Sequence, residues 1–226
     1  AAASDLWVPD ANMAINQVLF AVGYVFSITD GFGFLLLVKE DADRSLLRMA
    51  TEDGLTGLPN RAAFMHRADE CRRLCQRTGQ PVAVVMMDVD HFKRINDTFG
   101  HAAGDLALAA IGRGLREHLR DVDICGRLGG EEFAMLLPGT SAEAAVHVAE
   151  RLRHAVADAG FSFEGRTIGL TASFGVADPG PAGTLEQALS LADTALYTAK
   201  SEGRNRVVAT SDRTARRTTG VVKLVT

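Results

Sequence analysis

Cysteine is scarce in this 226-residue chain, with only Cys71, Cys75 and Cys125. Three thiols at irregular spacing cannot make a disulfide framework. Cys71 and Cys75 are four apart and share one helical face, but no two further ligands stand at zinc spacing. They read as small apolar side chains in a reduced, cytoplasmic compartment. Aromatic residues are only 6% of the chain, and net positive charge is missing altogether: 24 Lys and Arg against 28 Asp and Glu leave −4. A protein whose main partner is a nucleic-acid backbone would carry a basic face, so that class is set aside. A smaller polyanion would need locally clustered cations or a metal. Internal repeats and low-complexity segments are also missing.

Long charge-free stretches, by contrast, are present. From Ala11 to Thr29 no residue is charged, and after Asp30 a second apolar run covers Gly31 to Val38. Met13 to Val38 exceeds the roughly 20 apolar residues that cross a bilayer. No charged region of the signal-peptide type precedes it. Asp5 and Asp10 lie before the stretch and Lys39, Arg44 and Arg48 after it, which puts the C-terminal side in the cytoplasm. Asp30, with Asn16, Gln17, Ser27 and Thr29, is costly in hydrocarbon and keeps a soluble dimerising helix open as the other reading. The chain opens Ala1-Ala2-Ala3-Ser4 without an initiator Met, the expectation being either a fragment of a longer protein or a start altered by cloning. The expected division is a truncated N-terminal segment over 1–38, a linker or signalling helix over 39–52, a main domain over 53–210 and a patternless tail over 211–226.

Within the main domain, Asp53-Gly54-Leu55-Thr56-Gly57-Leu58-Pro59-Asn60-Arg61 is turn chemistry. Beyond it the pattern predicts a helix over 62–78, a buried strand over 81–89, a helix within 96–118, and strands over 124–128 and 133–137 joined at Gly129-Gly130. A helix over 141–159, a strand over 167–176 and a last helix over 184–201 follow. The order β-α-β-β-α-β predicts an α+β fold with a ferredoxin-like, nucleotidyl-cyclase palm core: a mostly antiparallel sheet flanked by helices.

Three pieces of this pattern carry chemistry. The apolar run Val82 to Met87 ends in Asp88-Val89-Asp90, and alternation puts both carboxylates on one face. Hard oxygens there suit Mg²⁺ completed by substrate phosphates, although hydrogen-bonded caps explain them equally well. Gly129-Gly130 is a tight turn that lets backbone approach a ligand, and Glu131 and Glu132 follow on opposite faces; such a hairpin alone is more often plain turn with solvated charge. Lys200 and Arg204, four apart, are expected on one face at a helix C-terminus, either complementing the dipole or clamping phosphates.

Together these segments resemble the GGDEF-domain diguanylate cyclases, in the Gly-Gly-Glu-Glu-Phe form, over about Thr51 to Val208. The resemblance rests on the Asp53 to Arg61 segment, on Asp88-Val89-Asp90-His91-Phe92-Lys93-Arg94-Ile95-Asn96-Asp97, on Gly100-His101 with Gly104-Asp105, on Gly129 to Phe133, and on Ala199-Lys200 with Gly203-Arg204-Asn205. It implies an enzyme that condenses two GTP into cyclic di-GMP and two pyrophosphates as a homodimer. Asp88, Glu131 and the Val89 carbonyl would hold Mg²⁺, with Mn²⁺ as a substitute and two ions per active pair of half-sites. Asp88, Glu131, Glu132 and Lys93 would form the catalytic set. Phe92 and Lys93 would wrap the terminal phosphates, Lys200 and Arg204 would clamp them, and Asn96 and Asp105 would read guanine. Arg120 and Asp123, upstream of the signature, match the family's Arg-x-x-Asp product-inhibition site, with Arg151 completing it. The place implied is the bacterial inner membrane with the catalytic domain in the cytoplasm, or the cytoplasm throughout. Two rival classes are a silent nucleotide receptor, which usually lacks the signature or the metal carboxylates, and a cyclase using adenine, which Asp105 disfavours.

Overall fold

The computed structural model describes residues 11–178, 180 and 183–211. Asp5 and Asp10, and the tail beyond Ser211, lie outside the described residues. The chain divides after Ala50 into two units. The first is built on a single helix, α1 (Ala11–Thr51), so the expected short helix from Lys39 is its continuation. The stretch Ile15–Glu40 is long and apolar enough to cross a membrane. Phe20, Tyr24, Phe26, Phe34 and Leu37 on it are exposed, as befits a helix that is apolar all round and not packed into a protein core.

The second unit runs α2 (Arg61–Thr78), β1 (Val82–Val89), α3 (Phe92–Phe99), α4 (His101–His118), β2 (Ile124–Gly129), β3 (Glu132–Pro138) and α5 (Ala142–Ala159). It continues with β4 (Phe161–Phe163), β5 (Arg166–Ile168), β6 (Ala172–Asp178), α6 (Leu185–Ser201) and β7 (Val207–Ser211). Five strands form one sheet in the order β2-β3-β1-β6-β7. Its first four strands pair antiparallel, with β1 at the centre between β3 and β6. β7 joins β6 in parallel, a pairing that needs the crossover helix α6. The α+β palm expected from the element order is therefore present, with β7 as an added edge strand.

Side-chain alternation sorts β1 between two cores. Ala83, Val85, Met87 and Val89 pack with α4 and α5 residues such as Leu108, Ile111, Ala149 and Leu152. Val82, Val84 and Met86 pack with Phe64 and Ala68 of α2 and with Ala188, Ala192 and Leu196 of α6. Even-numbered positions of β1 therefore face α6. α6 lies close to the sheet because Gly175 of β6 offers no side chain: a Cβ there would overlap the Ala192 carbonyl oxygen and the Leu196 N–H.

Three local departures from the expected pattern have local causes. The helix expected within 96–118 is two helices, broken at Gly100, whose φ of 83° lies outside the helical region. The strand expected over 167–176 is split, and its first part pairs as β5 with β4 through a turn at Glu164-Gly165, both at positive φ. β7 was not expected, since residues 207–211 are a short apolar run whose partner is supplied only by the sheet edge.

Gly175→Ala tests how the fold seats α6. Overpacking against helix backbone should cost about 2 kcal/mol, lowering the melting temperature of the domain by roughly 4–8 °C, as measured by calorimetry.

Candidate active site

Asp88 is an even-numbered residue of β1, so parity turns it toward α6, where Lys200 occupies the last turn. The two form an ion pair, Lys200 Nζ to Asp88 Oδ2 at 2.8 Å. Asp88 is buried, and a lone buried carboxylate needs such a partner. Its register partner on β3 is Glu132, and on β6 it is Ser173. Asp90 lies just past the strand end and is also buried, but its oxygens are satisfied by protein: Ser173 Oγ donates to Oδ1 at 2.7 Å and the Asn205 N–H to Oδ2 at 3.0 Å. The carboxylate-and-cap choice left open by the sequence therefore separates, with Asp90 as a cap.

The turn between β2 and β3 consists of Gly130 and Glu131, flanked by the paired residues Gly129 and Glu132. Gly130, at φ 51°, and Gly129, at φ 150°, occupy backbone space that side chains resist. The Glu131 carbonyl accepts from the Val89 N–H at 3.3 Å, joining the turn to the end of β1. Arg127 holds the turn from the other side. Its Nε and second terminal nitrogen donate to the Gly130 carbonyl at 2.9 and 2.7 Å, while its first terminal nitrogen lies 3.0 Å from both oxygens of Asp53. Asp53 in turn accepts from the Thr56 N–H and hydroxyl. Sequence reasoning quoted Asp53 without a role and overlooked Arg127 and Ser173. The signal for Arg127 was its place two residues before the Gly-Gly turn.

The charges at this edge are unbalanced. Burial pushes the Asp88 carboxyl above the ordinary carboxylate range; Lys200 opposes the rise, and Glu132 and Asp90 add to it. Glu131 is raised first by burial, then by the Asp88 charge, with Lys200 opposing and Glu132 adding. Both carboxyls are thus raised first by burial, with neighbouring acidic charge adding to it, and a divalent cation bound there would offset both causes. Among the described residues no three His, Cys, Asp or Glu side chains form a ready-made cage. At Asp53, burial would raise the carboxyl, but hydrogen bonds from Thr56 and Arg127 outweigh it and hold the carboxyl below its usual value.

Beside β1, α3 begins at Phe92 after His91, a left-handed residue whose side chain does not cap the helix. The start of α3 therefore offers backbone N–H groups to an anion. Lys93 is exposed there, whereas the Phe92 side chain is buried in the core. This region therefore presents backbone at Phe92 and an exposed side chain at Lys93. Asn96 of α3 packs on Gly104 of α4, where a Cβ would collide with Asn96 Oδ1; exposed Asp105 is the next residue along α4.

Arg204 also departs from expectation. α6 ends at Ser201, so Arg204 is not on the Lys200 face of a helix but in the following loop. Arg204 at φ 64° and Asn205 at φ 45° are consecutive left-handed residues. Three contacts hold them: Arg204 N–H to the Ala199 carbonyl at 3.0 Å, Asn205 N–H to Asp90, and Arg153 to Asn205 Oδ1 at 2.9 Å. On the far side of the domain, Arg120 pairs with Asp123 at 2.8 Å and donates to Thr140 Oγ1 at 3.0 Å. Arg151 donates to the His118 carbonyl at 3.0 Å, two residues from Arg120.

Residues 50–206 match the family model described as diguanylate cyclase, GGDEF domain. The chain is 46% identical over 160 residues to diguanylate cyclase DgcP of Pseudomonas aeruginosa, covering 70% of this chain and 24% of DgcP. It spans less than half the length of the curated relatives it matches. Among solved structures, the coiled coil and GGDEF domain of DgcB from Caulobacter crescentus, in complex with c-di-GMP, superposes with a TM-score of 0.74 at 29% identity, over 83% of this chain and 99% of that one. Diguanylate cyclase SiaD of Pseudomonas aeruginosa, in complex with its activator SiaC, gives 0.70 at 37% identity, over 88% and 75%.

The raised carboxyls predict a pH dependence of stability. A carboxyl with a higher pKa in the folded than in the unfolded chain binds its proton more readily when folded. Stability then falls as pH rises from the ordinary carboxylate range through the raised values. Urea midpoints measured without divalent cation from about pH 4 to 7 should show this fall, flattened by Asp88→Asn and by Glu131→Gln. The lowered carboxyl of Asp53 acts oppositely, stabilising above its unfolded value and losing that effect toward lower pH.

Proposed function

We propose, since this chain belongs to the GGDEF family, that it is a diguanylate cyclase joining two GTP molecules into cyclic di-GMP with release of two pyrophosphates. The reading is carried by one observation: Asp88, Glu131 and Glu132 gather at the end of β1 around Lys200.

Asp88, Glu131 and the Val89 carbonyl would hold Mg²⁺, or Mn²⁺ in its place. The bound cation neutralises phosphate charge and favours the ionised form of the attacking hydroxyl. Lys93 and the first N–H groups of α3 bind the β- and γ-phosphates. Lys200 and Arg204 close on them from the other side, and the strained loop fixes where the Arg204 guanidinium starts. Asn96 and Asp105 select guanine, because Asp105 accepts from both N1–H and N2–H and adenine would leave that acceptor unpaired. Glu132 stands near the 3′-hydroxyl that attacks the α-phosphate of the other GTP as pyrophosphate leaves.

Each domain, 53–210, holds one GTP, so two domains meet as a homodimer. The apolar part of α1 would cross the inner membrane and anchor the chain with the catalytic domain on the cytoplasmic side, and 39–52 would carry the signal. Arg120, Asp123 and Arg151 bind the product as an inhibitor, Arg120 by its fork to phosphate or to the guanine Hoogsteen edge. The near location of Arg151 to Arg120 supports this grouping.

Purified protein incubated with Mg²⁺ and GTP should yield cyclic di-GMP by mass spectrometry, and ATP should yield no cyclic dinucleotide. A demonstrably dimeric sample that makes none would overturn the reading. Glu131→Ala should lower turnover at least a hundredfold. Arg127→Lys keeps the charge but cannot fork between Asp53 and Gly130, and should lower turnover roughly tenfold through a loosened turn. Arg120→Ala should raise the cyclic di-GMP concentration that halves the initial rate; an unmoved inhibition curve reduces the pair to a structural ion pair.

A further inference from the structure

The Lys200–Asp88 pair is unusual in its asymmetry. Asp88 is a side chain only 6% exposed, whereas Lys200 is 34% exposed and reaches in from the last turn of α6. The acidic groups around Asp88 divide in their need of a cation. Asp90 has both oxygens satisfied by Ser173 and the Asn205 N–H, and Glu132 is exposed to water. Asp88 is buried as well, and Lys200 is the cation placed on it.

The same carboxylate is the metal ligand in the function proposed above, on which this inference rests. A monovalent and a divalent cation sharing one buried carboxylate repel strongly, because little solvent lies there to screen them. A lysine suits a partner that must leave: its ammonium is a compact charge on a flexible stem with rotatable donors, unlike the fixed fork of arginine. Its exposed flank gives the ammonium room to swing outward to the phosphates without α6 moving.

We infer that Lys200 is the resident counter-ion of Asp88 and that the divalent cation replaces it, the ammonium passing to the substrate phosphates as the metal takes the carboxylate. Lys200 thereby disfavours metal on the empty site and favours it once phosphates are present. Metal and nucleotide affinities are linked through this one side chain, and the linkage is reciprocal. The carboxylate is never left buried without a positive partner, so the folded domain needs no metal to tolerate Asp88.

The test is Mn²⁺ binding to the full chain in detergent, read from the free-ion paramagnetic signal, with and without pyrophosphate. Lys200→Met and Lys200→Gln should bind Mn²⁺ alone at least tenfold more tightly than the wild type. Pyrophosphate should strengthen Mn²⁺ binding far more in the wild type than in either variant. Equal or weaker binding of Mn²⁺ alone by both variants overturns the exchange while leaving Asp88 as a ligand. Mn²⁺ binding with pyrophosphate that is indifferent to Asp88→Asn overturns the ligand assignment and the exchange with it. A second readout does not depend on a variant that removes the charge: the ¹³Cε resonance of Lys200, assigned with Lys200→Arg, should shift when wild type is saturated with Mg²⁺. A resonance that stays put under saturation overturns the proposal.

Discussion

A buried carboxylate at the end of the central strand is the constraint around which this edge of the sheet is arranged. Taking Asp88 out of water costs several kcal/mol unless a cation faces it, and each neighbouring element contributes to meeting that need. β1 delivers the residue to the α6 face by strand parity. Gly175 lets α6 lie against β6 so that Lys200 comes within 2.8 Å of the carboxylate. β3 sets Glu132 opposite, and the turn before it brings Glu131 near enough for the Asp88 charge to raise it. An uncharged residue at position 88 would remove the reason for most of this arrangement.

The acidic and basic halves of the site are built by different means. Asp88 and Glu132 sit on paired strands, where the ladder fixes position to a fraction of an ångström. The cations sit where the chain has left regular structure or is about to. Lys93 is at the first turn of α3, Lys200 in the last turn of α6, and Arg204 in a loop with two consecutive left-handed residues. Such backbone costs about 1–3 kcal/mol per residue and persists only when over-determined, here by Asp90, Ala199 and Arg153.

Most of this was legible in the sequence, and what was not has identifiable causes. Strand alternation and helix period were enough for α2, β1, β3, α5 and α6, and the ordered motifs singled out Asp88 and Lys200, which the fold brings into an ion pair. The break at Gly100 was hidden because alanine-rich helix continues on both sides, and only the φ of 83° ends α3. The direction of the Phe92 side chain was not legible because a motif gives a residue's position and not its rotamer, and packing against α4 turns it inward. Arg204 was placed on a helix because a four-residue spacing was read without the Gly203 that ends the pattern. Arg127 was overlooked because its partners, Asp53 and the Gly130 carbonyl, are brought together by tertiary packing: 74 residues separate it from Asp53.

Arg127 also explains why the entrance segment has the composition it has. Asp53 must accept from Arg127 and from Thr56 at once, so the chain turns tightly there, and Gly57 at φ 64° permits it. α4 seals the same turn through Gly112, where a Cβ would come within 2.8 Å of Thr56, and through Arg116, which donates to the Thr56 carbonyl at 2.8 Å. On the other side the Pro59 carbonyl accepts from the Arg127 N–H, and a Cβ on Gly126 would strike Phe64. A displacement of the Asp53 turn therefore cannot be absorbed by neighbouring loops. It must either break the Arg127 fork or pull on the Gly130 carbonyl, and Glu131 is the next residue. The first residues of the domain and the Gly130-Glu131 turn are in this way one mechanical unit, joined through Arg127, whose planar fork has little slack to give.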